Sequence, residues 1–208
     1  VDGAQSGGYV AIDKDEMNVD MLAIAPHKGL HAPQGVGALL VGDRAKAALR
    51  PILYGGTGTA SDELSQPADF PDGFEAGTLP TPAIAGLCAA LCRCEREGYK
   101  DREIINELSL RLRRGLYSID GVKILSPENA LSGIVAFNVR DYDSGEVADI
   151  LSSEYDICVR AGLHCAPLAH KYLGTLGRGA VRVSLGYDNT LREVDFFLRA
   201  VGEISGKR

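Results

Sequence analysis

Apolar positions fall in two short runs near the start of the chain, 21–24, just after Asp20, and 38–41. A turn rich in glycine and proline, 29–37, separates them. This pattern reads as two strands, the first of which ends abruptly in His27 and Lys28. Residues 43–49 read as a short helix, capped by Asp43 and ended by Arg50 and Pro51. A polar, glycine-rich stretch follows as far as Gly73. Thr81 as N-cap and Pro82 at the first helical position then open a helix that should run to Glu97 and stop at Gly98. A second amphipathic helix is predicted over 101–118, with Ile104, Ile105, Leu108, Leu112 and Leu116 at helical spacing and the charges on a solvated face. Strands are predicted at 122–125 and 134–139, joined by a turn at 127–133. A helix at 145–152, a short strand at 157–159 and an irregular loop at 160–168 come next. The alternating strand 179–185 is interrupted by Arg182. Thr190 and Glu193 form a capping box for a last helix that runs to about Ile204.

The composition changes around residues 98–100, which places a domain boundary there: 1–98 and 99–208. With 208 residues, 45% of them apolar and 24% charged, the chain is ordinary globular material for one domain or two small ones. The net charge of -6 and the lack of a basic cluster argue against nucleic acid and anionic membrane as main partners. No apolar run reaches membrane-spanning length, and the first residues carry no signal-peptide pattern. Five cysteines, an odd number, do not make a secreted disulfide framework; a reducing compartment, hence the cytoplasm, is expected. Val1 and Asp2 run at once into turn chemistry, Gly3 to Gly8, as if a strand had just ended. The chain is therefore expected to be the later part of a longer protein.

Several residues stand out chemically. Ligands of open α/β sheets sit at the carboxyl ends of strands. A lysine there can lose its proton through desolvation and nearby cations, then attack a carbonyl to form an imine. Lys28 is so placed, although its position alone also fits a plain surface lysine after a strand. Asp2 could be a simple turn residue. A buried carboxylate in its place could instead keep a heteroaromatic nitrogen protonated, as a pyridoxal ring needs to act as an electron sink. Cys165 lies in a loop bounded by Gly162 and Pro167, close to His164 and Arg160, where cationic neighbours favour the thiolate. His164, Cys165 and His170 are too close in sequence to make a complete metal site, so no metal is expected. Cys88 and Cys92 share a helix face, Cys94 points elsewhere, and all three read as small apolar filler. Cys158 reads as strand filler. An arginine in a strand such as 179–185 is usually an edge residue facing water.

Asp2, Gln5, His27 and Lys28, with Gly35 and Gly37, together resemble the class V aminotransferase family of pyridoxal-phosphate enzymes. Arg160, Gly162, His164, Cys165, Ala166 and Pro167 resemble the catalytic loop of its cysteine desulfurase branch. The resemblance covers the whole chain and implies the fold: α/β, the second half of a fold type I PLP-dependent transferase large domain (a mostly parallel sheet with flanking helices) in 1–98, plus a small α+β C-terminal domain in 99–208. It implies pyridoxal 5'-phosphate as cofactor. Asp2 would meet the ring nitrogen, Gln5 the ring oxygen, and His27 would contact the cofactor that Lys28 binds covalently. Thr78, after Glu75 and Gly77, would reach the phosphate of a partner subunit, so a homodimer with shared active sites is implied. Cys165 would take sulfur from L-cysteine as a persulfide, releasing L-alanine, and would pass it to a sulfur-acceptor protein. Arg182 would pair with the substrate carboxylate, beside Arg160 and His164. The entry to the last helix, Tyr187, Asn189 and Thr190, also matches.

One position departs from the family. Three residues before the lysine it carries a serine or threonine whose hydroxyl contacts the phosphate, and this chain has Ala25. The family's large domain also has an earlier half, with a stacking histidine, an asparagine and a phosphate-binding turn, which is not among these residues. The site is therefore expected to be incomplete here and the isolated chain inactive. The other readings are a selenocysteine lyase or another class V enzyme, and a silent fragment that only folds or dimerises.

Overall fold

The computed structural model describes residues 1–127, 129–130 and 132–207, and at residue 99 the backbone alone. The chain divides into two compact units, Val1–Gly98 and Tyr99–Arg208.

In the first unit, β1 (Met21–Ile24) pairs antiparallel with β2 (Ala38–Val41), Leu22 opposite Leu40. The other edge of β1 takes a parallel bridge from Asp2. There the Gly3 amide donates to the Ala23 carbonyl at 2.8 Å, and the Ala23 amide to the Val1 carbonyl at 3.1 Å. Leu22 is buried, while Met21, Ala23, Leu39 and Leu40 are exposed among the described residues. Helix α1 (Asp43–Ala48) has Gly42 as its N-cap and no side-chain cap. Asp43 is its first helical residue rather than its cap, where its charge still suits the helix dipole.

Helix α2 (Thr81–Tyr117) is continuous over 37 residues. The sequence predicts a break at Gly98 that does not occur. An interior glycine costs a helix only about 1 kcal/mol relative to alanine, and the chain-breaking alternative, proline, is absent from 83–117. Thr81 lies inside the helix, its Oγ1 donating to the Leu79 carbonyl at 3.4 Å, and does not cap it. The apolar stripe is borne out at Ile105, Leu108, Leu112 and Leu116, while Ile104 is exposed. One charge belongs to the buried face. Arg113 is 5% exposed and donates to the carbonyls of Pro127 (2.8 Å) and Ile134 (3.1 Å).

The second unit continues with β3 (Val122–Ile124), β4 (Ile134–Val139), α3 (Ser144–Tyr155), β5 (Arg160–Gly162), α4 (Pro167–Tyr172), β6 (Ala180–Ser184) and α5 (Leu191–Gly206). The connecting turn expected over 127–133 includes positions 128 and 131, which lie outside the described residues. The strands form one antiparallel sheet in the order β3-β4-β6-β5. Strand alternation puts Val135, Phe137, Val139 and Val181 on one face. They form a single core with Leu108, Leu112 and Leu116 of α2, Val147 and Leu151 of α3, and Val194, Phe197, Ala200, Val201 and Ile204 of α5. Asp143 caps α3, accepting from the Gly145 amide at 2.8 Å, and Thr190 and Glu193 make the expected capping box. Two elements differ from expectation. The strand expected at 157–159 lies at Arg160–Gly162, because pairing with β6 begins at Arg160. Helix α4, short and opened by Pro167, lies where only a loop was expected. Among the described residues no helix is long and apolar enough to cross a membrane.

Candidate active site

Two groups of chemically distinctive residues emerge, one in each unit. In the first, Lys28 follows β1 at the end of a tight turn, its amide donating to the Ala25 carbonyl at 3.0 Å. The Lys28 carbonyl accepts in turn from the His31 amide at 3.0 Å, while the buried Pro26 anchors the loop through its carbonyl and the Ala32 amide. His27 and Lys28 are exposed, so the desolvation expected of a strand-end lysine is not supplied by the described residues around it.

The turn after Asp2 docks on this loop by direct backbone contact. A Cβ at Gly8, where φ is +93, would lie 2.3 Å from the Gly29 carbonyl carbon, and a Cβ at Gly29 would lie 2.3 Å from the Gly7 oxygen. The sequence shows these glycines as turn formers; the fold uses them for close approach. Asp2 is exposed rather than buried, and its Oδ1 accepts from the Ala4 amide at 2.9 Å, which orients the carboxylate. Gln5 is exposed on the same turn. Thr78 is exposed as well, on a loop pinned by the Gly77 amide donating to the Gly56 carbonyl at 2.7 Å. Cys88 and Cys92 are exposed on α2 and do not fill a core.

In the second unit the sheet itself assembles the group. Arg160 on β5 stands directly opposite Arg182 on β6, whose other neighbour is Ala136 on β4. Arg182 therefore lies on an interior strand and is half-buried, not at a water-facing edge. The core lies on the opposite face, so both side chains project from the other face of the sheet. After Gly162 the chain makes a four-residue turn, closed by the Ala166 amide donating to the Leu163 carbonyl at 2.8 Å. Its central residues, His164 (φ 51) and Cys165 (φ 59), are both left-handed. Neither is glycine, and non-glycine residues in that conformation gather at functional sites because the strain must be compensated by surrounding contacts.

Cys165 is exposed, with its Sγ 3.9 Å from Arg160 Nη2. His164 is half-buried, and its Nε2 lies 2.9 Å from the Ala180 carbonyl. A carbonyl can only accept, so Nε2 carries the proton and donates. Burial pushes the His164 pKa down; the Ala180 bond opposes this, and the nearby charges of Arg182, Arg160 and His170 reinforce it. The ring is thus held neutral, with Nδ1 as its bare nitrogen. Cys158, expected as strand filler, is exposed beside an apolar cleft lined by Val183, Leu185 and Phe196.

Sequence reasoning missed His170 and Thr175 as partners of this loop. Both are 5% exposed, and His170 Nδ1 lies 2.8 Å from Thr175 Oγ1. The spacing of five residues carries no helical or strand signal, so nothing in the sequence pairs them. Among the described residues no cluster of histidine, cysteine and carboxylate side chains could hold a metal ion.

Comparison with known proteins agrees across both units. The family profile described as aminotransferase class-V matches residues 1–197. The chain is 35% identical over 215 residues to a probable cysteine desulfurase of Methanothermobacter thermautotrophicus, covering 99% of this chain and 52% of that protein. Its fold matches the apo structure of a cysteine desulfurase from Thermococcus onnurineus NA1 with a TM-score of 0.89 at 34% identity, over 100% of this chain and 52% of that one. It also matches C-DES, in a structure with glycine covalently linked to the PLP cofactor, with a TM-score of 0.80 at 25% identity, over 97% of this chain and 50% of that one. The chain spans about half the length of the relatives it matches, and its fold is that of the corresponding part of a type I PLP enzyme.

Proposed function

We propose, from the premise that this chain belongs to the class V aminotransferase family, that it carries the lysine and the sulfur-accepting cysteine of a PLP-dependent cysteine desulfurase. The observation that supports this best is the arrangement around Cys165: an exposed thiol on a strained turn, beside two arginines in register on neighbouring strands. A transaminase needs no nucleophilic thiol, whereas sulfur transfer needs one beside a carboxylate-binding group.

The residues of the first unit suit the cofactor. Asp2 and Lys28 lie on loops that meet backbone to backbone at Gly8 and Gly29, which brings an oriented carboxylate and a primary amine into one neighbourhood. These are the acid and amine that a pyridine nitrogen and an aldehyde call for. When bound, pyridoxal phosphate supplies an electron sink for the substrate's Cα. We assign Asp2 to keep the ring nitrogen protonated, Gln5 to the ring oxygen, His27 to cofactor contact and Lys28 Nζ to bind the aldehyde. With Ala25 lacking a hydroxyl, phosphate binding leans on other donors, and we assign Thr78 to the phosphate of a partner subunit in a homodimer. Residues 1–98 would belong to the large cofactor domain and 99–208 to the small C-terminal domain.

In this reading Arg182, helped by Arg160, takes the α-carboxylate of L-cysteine through paired N–H donors. His164, neutral with its proton on Nε2, lines the same loop. Lys28 Nζ moves the α-proton. Cys165 Sγ gives up its proton and attacks the substrate sulfur. An S–S bond forms as the substrate's C–S bond breaks, and the electron pair of that bond remains on the carbon skeleton. A proton then completes L-alanine, and the enzyme retains a persulfide on Cys165. No external oxidant or reductant is required. The exposure of Cys165 leaves this persulfide within reach of a sulfur-acceptor protein, and five free thiols suit a reducing cytoplasm.

The test is Cys165→Ala in the PLP-loaded protein with both halves of the site present. Alanine release from cysteine should be lost while the visible band of the lysine-bound cofactor persists. Undiminished alanine release, or the same loss from Cys158→Ala alone, would overturn the assignment.

A further inference from the structure

Two side-chain clamps hold the turn that carries Cys165. His164 provides one, through Nε2 to the Ala180 carbonyl at 2.9 Å. The other runs through His170. This residue lies on α4, with its amide donating to the carbonyl of Ala166, the residue after Cys165, at 3.2 Å. Its Nδ1 meets Thr175 Oγ1 at 2.8 Å, and the Thr175 amide returns to the His170 carbonyl at 2.9 Å. The Thr175 carbonyl then accepts from the Gly179 amide at 2.8 Å. Gly179 and Ala180 are consecutive, so both clamps close on the start of β6, two residues from Arg182. The imidazole rings of His164 and His170 lie against each other, with centroids 5.9 Å apart.

The anchor point is itself fixed. A Cβ at Gly179 would lie 2.7 Å from Ser144 Oγ and 2.8 Å from Gly162 Cα, and Ser144 Oγ accepts from the Gly162 amide at 3.2 Å. The first turn of α3, the end of β5 and the start of β6 thus meet with no room for a side chain. The strained backbone at His164 and Cys165 needs such over-determination to persist.

We propose that His170 is a positioning residue for Cys165: through Thr175 and the ring of His164 it holds the left-handed turn against the start of β6, in register with Arg182. A threonine hydroxyl donates or accepts, so the bond holds in either neutral tautomer of His170. This inference rests on Cys165 being the sulfur carrier.

The experiment compares His170→Ala, His170→Asn, Thr175→Val and Thr175→Ser in the full PLP-loaded protein. Hydrogen exchange of the Ala166 amide, which closes the turn, is followed beside steady-state kinetics. Asparagine keeps a polar atom near the Nδ1 position, and serine keeps the hydroxyl. His170→Ala and Thr175→Val should each speed Ala166 exchange about tenfold, the factor that ~1.4 kcal/mol represents. They should lower kcat by a similar factor at unchanged KM and leave exchange in β4 as it was. His170→Asn and Thr175→Ser should stay within about twofold of the parent. Ala166 exchange within about twofold of the parent in both His170→Ala and Thr175→Val would overturn the proposal. So would acceleration spread equally through β4, which would make His170 a support of the whole core. Should His170→Ala fail to fold, Thr175→Val decides alone. The exchange readout does not depend on sulfur transfer, so a failure of the Cys165 assignment, seen in Cys165→Ala, stays distinct from a failure here.

Discussion

Arg160 and Arg182 stand directly opposite each other across the β5–β6 ladder. Like charges in that relation destabilise an antiparallel pair. A carboxylate bound between the two guanidinium groups would offset their like charge.

Arg182→Lys should therefore raise KM for L-cysteine about 10–100-fold, since an ammonium cannot replace a planar bidentate donor. Arg160→Gln should reduce the rise in melting temperature that L-alanine gives the parent. Thermal denaturation with and without L-alanine measures it. A KM unchanged in Arg182→Lys would remove Arg182 from substrate binding.

Lys28 should be the lysine that carries the cofactor. Borohydride reduction of the PLP-loaded protein followed by peptide mapping should place the pyridoxyl mass on the peptide containing Lys28. A label on Lys14 or Lys46, the nearest lysines in sequence, would refute the assignment.

The contact between Gly8 and Gly29 leaves no space for a methyl group. Gly8→Ala adds a backbone clash to a left-handed φ and should cost about 2–4 kcal/mol of stability. Gly37→Ala is the control: its Cβ would come no closer than 3.8 Å to the Ile24 oxygen, an ordinary contact, and the change should stay within about 1 kcal/mol. Urea denaturation of the two variants tests the contrast. Equal stability would mean that the Asp2 turn does not dock on the Lys28 loop.

His164 links stability to pH. Its folded pKa lies below the ordinary 6.5, chiefly through burial. As pH falls through 6.5 the unfolded chain takes up the proton first, so stability is full above that value and declines below it. The decline continues until the folded protein is protonated too. His164→Gln should flatten this part of the curve. Urea midpoints at about pH 7.5 and about pH 5.5 for parent and variant measure the difference. Identical slopes would show that the ring is not held neutral.

Much of this protein is written locally in its sequence. The alternation in β4 and β6, the stripe from Ile105 to Leu116 and the capping box at Thr190 follow from short-range periodicity and side-chain chemistry, which the residues themselves carry. The loop from Arg160 to Pro167 stands out as a pattern for the same reason, since it is contiguous, whereas the residues grouped with Lys28, from Asp2 to Gly37, lie on separate segments. Tertiary packing decided the rest. Gly98 looks like a stop, yet α2 runs through it, because a glycine's cost is small beside the burial of the residues that follow. Arg113 looks solvated, yet its fork reaches two carbonyls that only the fold brings near. Arg182 looks like an edge residue until β5 pairs beyond it and sets Arg160 opposite. His170 and Thr175 have no pattern in the sequence, because their bond depends on where α4 ends and β6 begins. Distances between side chains on different elements are set by the packing of the whole unit, and no local signal encodes them.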